Sequence, residues 1–98
     1  MKKVLCISES CCDLIFCGLP RIPTLGEEIY GDSFTIKAGG GANTPISLAY
    51  LGVDTSYLTR IGTDELGEYV SRALVDAGVS LVGKSVQPEI RTAVSAVL

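Results

Sequence analysis

AGGGANTPISLAYLG, residues 38–52, sets three consecutive glycines directly in front of an apolar run with helical spacing. Glycine resists regular structure and the run behind it favours helix, so the boundary predicts a turn that opens a helix. Ile46, Leu48, Ala49, Tyr50 and Leu51 make that helix nearly all apolar, and Gly52 is its expected C-terminal cap. A helix apolar on most sides is expected to be buried. Pro45 sits at an early helical position, where there is no N–H partner to lose.

Outward from this stretch the chain alternates between strand-like and helix-like pieces. VLCIS (residues 4–8) and LIFC (14–17) are apolar and β-compatible, separated by the polar knot ESCCD. GLPRIPTLG (18–26) carries two prolines and reads as a loop. EEIYGDSFTIK (27–37) predicts two short extended pieces joined at Gly31 and Asp32. Beyond the helix, DTSYLTRIG (54–62) reads as a strand. TDELGEYVSRALVDAG (63–78) is amphipathic, with Leu66, Val70, Ala73, Leu74 and Ala77 on one face. Thr63 or Asp64 caps that helix, Gly78 follows its end, and Glu68 can pair with Arg72 on the outside. VSLV (79–82) adds a short strand, and RTAVSAVL (91–98) is β-prone. This order is the grammar of an α/β protein with a largely parallel sheet. A parallel strand needs a covering helix, and none follows residues 91–98, so the expectation is the N-terminal part of a larger chain.

Composition narrows the classes. With 98 residues, 47% of them hydrophobic and 19% charged, the chain has the make-up of one small globular domain. A net charge of −3 argues against a nucleic-acid partner. No apolar run reaches the roughly eighteen residues of a membrane span. The start MKKV resembles a signal peptide only briefly, because Ser8, Glu9, Ser10 and Asp13 interrupt the apolar stretch. It reads instead as the first strand of a cytoplasmic protein. The four cysteines, Cys6, Cys11, Cys12 and Cys17, are spaced C-x4-CC-x4-C in a chain without histidine. That spacing suits neither zinc nor a disulfide framework, and predicts small buried hydrophobes with reduced thiols.

The glycine stretch fails both nucleotide fingerprints. No lysine follows it, as a Walker A loop requires, and Thr44 stands where G-x-G-x-x-G needs its third glycine. A dinucleotide-dependent oxidoreductase is therefore disfavoured. Glycines let a ligand approach the backbone, and the Asn43 amide both donates and accepts, which suits neutral hydroxyls better than phosphate. Equally, the glycines could serve only tight packing and Asn43 only cap the helix; the residues alone leave the two readings even. Asp13 is the second candidate. Between strand-like runs it is expected at a strand's C-terminal end, where α/β sheets place ligands, and a carboxylate there can hold two adjacent hydroxyls. The plain alternative is a solvated aspartate in a turn.

At these residues the chain resembles the PfkB, or ribokinase-like, carbohydrate kinases. Ala38, Gly39, Gly41, Asn43, Gly52 and Gly62 match the family's N-terminal signature, while Pro45 stands where the family prefers serine, threonine or alanine. PTLGEEIYGDSF (23–34) looks like its P-x-x-G-E segment, and IGTDELGEYVSRALVDAGV (61–79) like its vGdDxxGxxxxxxLxxxGV segment. Arg91-Thr92 resembles the threonine opening the next lid strand.

The resemblance covers nearly the whole chain, and its implications are specific. The fold would be the N-terminal part of a Rossmann-like α/β ribokinase fold, with a parallel sheet, flanking helices and β-lid strands at about 14–17, 27–37 and 91–98. Asp13 would bind sugar hydroxyls, Gly39 and Gly40 would lie against the sugar, and Asn43 would hydrogen-bond it. Cys11 stands where ribokinase itself has an asparagine, which argues against ribose. ATP and Mg²⁺ are the implied cofactors, yet the second signature, near D-T-x-G-A-G-D, does not occur here, so no catalytic residue is expected in this chain. The implied enzyme phosphorylates a sugar hydroxyl and dimerises through its lid strands. A nucleoside kinase of the same fold, or a non-catalytic sugar-binding and dimerisation module, are the alternatives.

Overall fold

The structure is a computed structural model that describes residues 2–98. In chain order its elements are β1 (Lys3–Ile7), β2 (Ser10–Cys17), β3 (Ser33–Gly40), α1 (Asn43–Tyr50) and β4 (Asp54–Leu58). There follow β5 (Ile61–Gly62), α2 (Glu65–Asp76), β6 (Ser80–Leu81), β7 (Val86–Gln87) and β8 (Ala93–Val97). A parallel sheet runs β1-β4-β6, and a second sheet runs β3-β2-β8, with β2 antiparallel to β3 and parallel to β8. Short parallel β5 and β7 pair beside them. The α/β class read from the sequence is therefore present.

The core forms where α2 meets both sheets. Tyr57, Ile61, Val70 and Leu74 are completely buried, joined by Cys12, Ala38, Ala42 and Val79. Val70 and Leu74 are one helical turn apart, so the amphipathic stripe points where its spacing requires. Asp64 is the α2 cap, accepting from the Gly67 amide at 2.9 Å, and Gly78 follows at φ +99°. Glu68 and Arg72 pair at 2.8 Å on the exposed face.

Several expectations need correction. Within the polar knot ESCCD only Glu9 lies in the break between strands, because β2 begins at Ser10 and runs through the rest. The buried Ser10 hydroxyl donates to Tyr57 Oη at 3.0 Å and lies 2.9 Å from Thr59 Oγ1, so its polarity is satisfied inside the fold. Asp13 consequently lies within a strand and not at a strand's C-terminal end. Residues 27–32 carry no strand. There the Glu27 carboxylate takes bonds from the Thr24 amide at 3.1 Å and from Arg21 at 2.8 and 2.6 Å, which closes a turn in place of extended chain. Residues 54–62 split into β4 and β5. Only Cys12 is a buried thiol; Cys6 and Cys11 are half-buried and Cys17 is exposed, so burial of all four does not hold.

Helix α1 follows the glycines as predicted and ends at Gly52, whose φ is +84°. Its burial is one-sided. Pro45 is buried, whereas Tyr50 and Leu51 are 76% and 79% exposed. No helix among the described residues is long and apolar enough to cross a membrane.

Candidate sugar-hydroxyl site

The pleat of the second sheet assembles the candidate site. Side chains alternate along a strand, so Asp13 shares a face with its register partners Lys37 on β3 and Ser95 on β8. Cys11, with partners Gly39 and Ala93, lies on that face as well. Cys12 and Ala38 point the other way, into the core.

Gly39 is buried and leaves bare backbone beside Asp13. A Cβ there would collide with the Asp13 carboxylate. Gly40 is in the left-handed region at φ +61°, and a Cβ on it would come within 3.2 Å of Cys11 Sγ. Both glycines are thus the last residues of β3, and the turn itself falls at Gly41 and Ala42, where Gly41 N–H donates to the Glu9 carbonyl at 2.9 Å. Asn43 opens α1 but does not cap it. Its Nδ2 donates to the Gly40 carbonyl at 3.2 Å, while the helix start at Ala42 has no side-chain cap. One amide proton and the amide oxygen of this exposed residue remain for another partner.

The four residues singled out from the sequence therefore fall into two pairs, Asp13 with Gly39 and Asn43 with Gly40. Cys11 bridges them. Its Sγ lies where a Cβ on Gly40 would meet it, and its thiol donates to Asp13 Oδ1 at 3.2 Å. Burial first, and the Asp13 bond second, push the Cys11 thiol above its ordinary range, so it stays protonated and remains a donor. The sequence marks Cys11 only as standing in place of an asparagine; the same-face contact follows from its place two residues before Asp13 in β2. Asn43 and Lys37 also line a cleft of about 350 Å³ between β3, α1 and α2, together with Ile46, Ser47 and Tyr69.

A second polar cluster lies at the root of β8. Asp64 Oδ1 accepts from Thr92 Oγ1 at 2.6 Å and Asp64 Oδ2 from Thr92 N at 3.2 Å, while Gly62 N donates to Thr92 Oγ1 at 3.0 Å. The Thr92 hydroxyl, then its amide and the Gly67 amide, hold the Asp64 carboxyl below its ordinary value. The sequence pointed to Asp64 as a cap and to Thr92 as a strand opener, but not to their contact.

The profile of the pfkB family carbohydrate kinases matches residues 1–98. The chain belongs to this family. Over 90 residues this pfkB-family chain is 34% identical to a fructokinase from Rhizobium leguminosarum bv. trifolii, an alignment covering 91% of the chain and 25% of that protein. A ribokinase from Cryptococcus neoformans var. grubii serotype A, solved in complex with ADP, is 28% identical with a TM-score of 0.73 over 98% of this chain and 30% of its own. The ribokinase of Giardia lamblia, at 21% identity, shares the fold, with a TM-score of 0.82 over 98% of this chain and 31% of its own. The pfkB-family chain spans about a quarter of the length of the curated relatives it matches.

Proposed function

We propose that residues 1–98 form the acceptor-binding part of an ATP-dependent sugar kinase that phosphorylates a sugar hydroxyl. The observation that carries this reading is the Asp13 carboxylate resting on the bare backbone of Gly39. A carboxylate accepts from two neighbouring hydroxyls, and the missing Cβ of Gly39 gives the Asp13 carboxylate room to rest on the strand. Across Cys11, Asn43 adds an amide that both donates and accepts. The set is neutral-hydroxyl chemistry, in keeping with sugar kinases among the relatives. In this reading these residues bind and orient the acceptor.

ATP is the implied phosphoryl donor, supported by the ADP in the complex of the fungal ribokinase. When bound with Mg²⁺ it supplies the phosphoryl group and the charge that stabilises its transfer. The described residues do not fit that pair. They contain no group of three or more His, Cys, Asp or Glu disposed to hold a metal ion, and no lysine stands directly behind the glycines where a phosphate loop needs one. In this reading ATP and Mg²⁺ are held by parts of the kinase fold other than the described residues.

The second sheet is read as the lid over the sugar and as a homodimer contact. Its support is the exposed apolar surface on β2, β3 and β8, with Phe34 52%, Val94 48% and Val97 41% exposed. A cytoplasmic location accompanies this reading. The deciding experiment assays the full-length protein with ATP, Mg²⁺ and each of D-fructose, D-ribose and adenosine. Phosphorylation of a sugar that is abolished in Asp13→Asn supports the proposal. Turnover of adenosine alone makes the protein a nucleoside kinase. Absence of all turnover, with a stable dimer by light scattering, favours a non-catalytic module.

A further inference from the structure

We infer that Asp64 and Thr92 form a clasp that fixes the register of β8 and so positions Ser95 beside Asp13. The inference rests on the acceptor-site reading above. All five residues of β8 are exposed, so burial contributes little to holding this strand in place. Ser95 pairs with Asp13, Ala93 with Cys11 and Val97 with Ile15. A slip of one residue would turn Ser95 to the opposite face and present Val94 or Ala96 to Asp13. Something other than hydrophobic contact must set where β8 begins.

Thr92, immediately before β8, is only 7% exposed, and its hydroxyl and amide are engaged by Gly62 and Asp64. Its hydroxyl donates to Asp64 Oδ1 at 2.6 Å and accepts from Gly62 N at 3.0 Å, and its amide donates to Asp64 Oδ2 at 3.2 Å. Asp64 is itself fixed by the Gly67 amide at 2.9 Å, so the clasp is anchored to the first turn of α2. The two glycines around Asp64 make room for it. A Cβ on Gly67 would run into Thr92 Oγ1 and the Gly62 carbonyl, and one on Gly62 would meet the Ile90 carbonyl and, at 3.2 Å, Thr92 N. Thus the spacing of Gly62, Asp64 and Gly67 acquires a physical purpose: it builds a socket for one threonine.

The roots of β2 and β3 are pinned independently, by Ser10 on Tyr57 and Thr59 and by Gly41 on Glu9. Only β8 depends on the clasp. Asp64 and Thr92 are therefore positioning residues, acting on the acceptor through Ser95 and Asp13 without touching it.

The test uses the full-length protein with Thr92→Val, which keeps shape and removes the hydroxyl, Thr92→Ser, which keeps the hydroxyl, and Asp64→Asn as an independent break. Hydrogen–deuterium exchange of residues 93–97 and steady-state kinetics with the best acceptor among D-fructose, D-ribose and adenosine are both measured. Thr92→Val is expected to speed exchange across β8 and to raise KM for the acceptor on the order of tenfold, with KM for ATP held within about twofold. Thr92→Ser restores both readouts. Unchanged exchange in Thr92→Val and Asp64→Asn overturns the clasp, and faster exchange with an unchanged acceptor KM overturns its positioning role. If Thr92→Val does not fold, Asp64→Asn is judged by the same two readouts. A wild-type protein that phosphorylates none of the acceptors sinks the kinase reading instead, and exchange alone then decides the clasp.

Discussion

The Asp13 carboxylate occupies the space that a Cβ at Gly39 would need. Two neighbouring strands thereby divide the work, β2 supplying the acceptor group and β3 the gap it rests in. Gly41, two residues on, has a different neighbour: a Cβ there would come within 2.6 Å of the Glu9 backbone carbonyl as well as striking Ser8. These contacts predict opposite outcomes for the same substitution. In Gly39→Ala the flexible Asp13 side chain rotates away, so stability changes by less than about 1 kcal/mol while acceptor KM rises tenfold or more. In Gly41→Ala the backbone itself must move, at a cost of about 1–3 kcal/mol. Urea unfolding and kinetics on the two full-length variants check this; equal stability losses would contradict it.

How much of this was legible in the sequence depends on the range of the forces involved. Helix α2 was readable because its period, its Asp64 cap and its closing Gly78 are all local. The turn into α1 was readable for the same reason. The continuity of β2 from Ser10 through Asp13 was hidden, because the partners that satisfy Ser10, namely Tyr57 and Thr59, lie far along the chain. Residues 27–32 misled in the opposite way, since Glu27 closes a turn with Arg21 and Thr24 that alternation cannot reveal. In the site, Asp13, Gly39, Gly40 and Asn43 could be singled out by residue type and resemblance. Their pairing could not, because it follows from strand register and from Cys11 as the bridge.

Tyr57 predicts a stability effect through the hydroxyls of Ser8 and Ser10. It is completely buried, and its Oη lies 2.9 Å from Ser8 Oγ and accepts from Ser10 Oγ at 3.0 Å. Through these bonds β4 holds the start of β2. Tyr57→Phe keeps the ring packing and deletes both bonds, leaving Ser10 with Thr59 alone. At about 0.5–1.5 kcal/mol for each bond, the full-length variant should lose about 1–3 kcal/mol. Chemical denaturation monitored by circular dichroism measures it. A midpoint equal to that of the unsubstituted protein would show that the hydroxyl network does not hold the two sheets together.

Asp64 predicts a pH dependence whose sign follows from its partners. Bonds from the Thr92 hydroxyl, the Thr92 amide and the Gly67 amide favour the charged carboxylate, so its folded-state pKa lies below the unfolded value. The stabilisation is then fully present above the unfolded aspartate pKa of about 3.9, and is lost as pH falls through the lower folded value. Asp64→Asn should accordingly cost the most stability near neutral pH, and the gap from the unsubstituted protein should narrow as the solution is acidified below about pH 4. Thr92→Val should show the same narrowing, because it removes the donor that contributes most to the shift. Denaturation midpoints of the three full-length proteins, measured from pH 7 downward, test the argument. A gap that stays constant, or widens in acid, would mean that the Asp64 charge is not what holds α2 and β8 together.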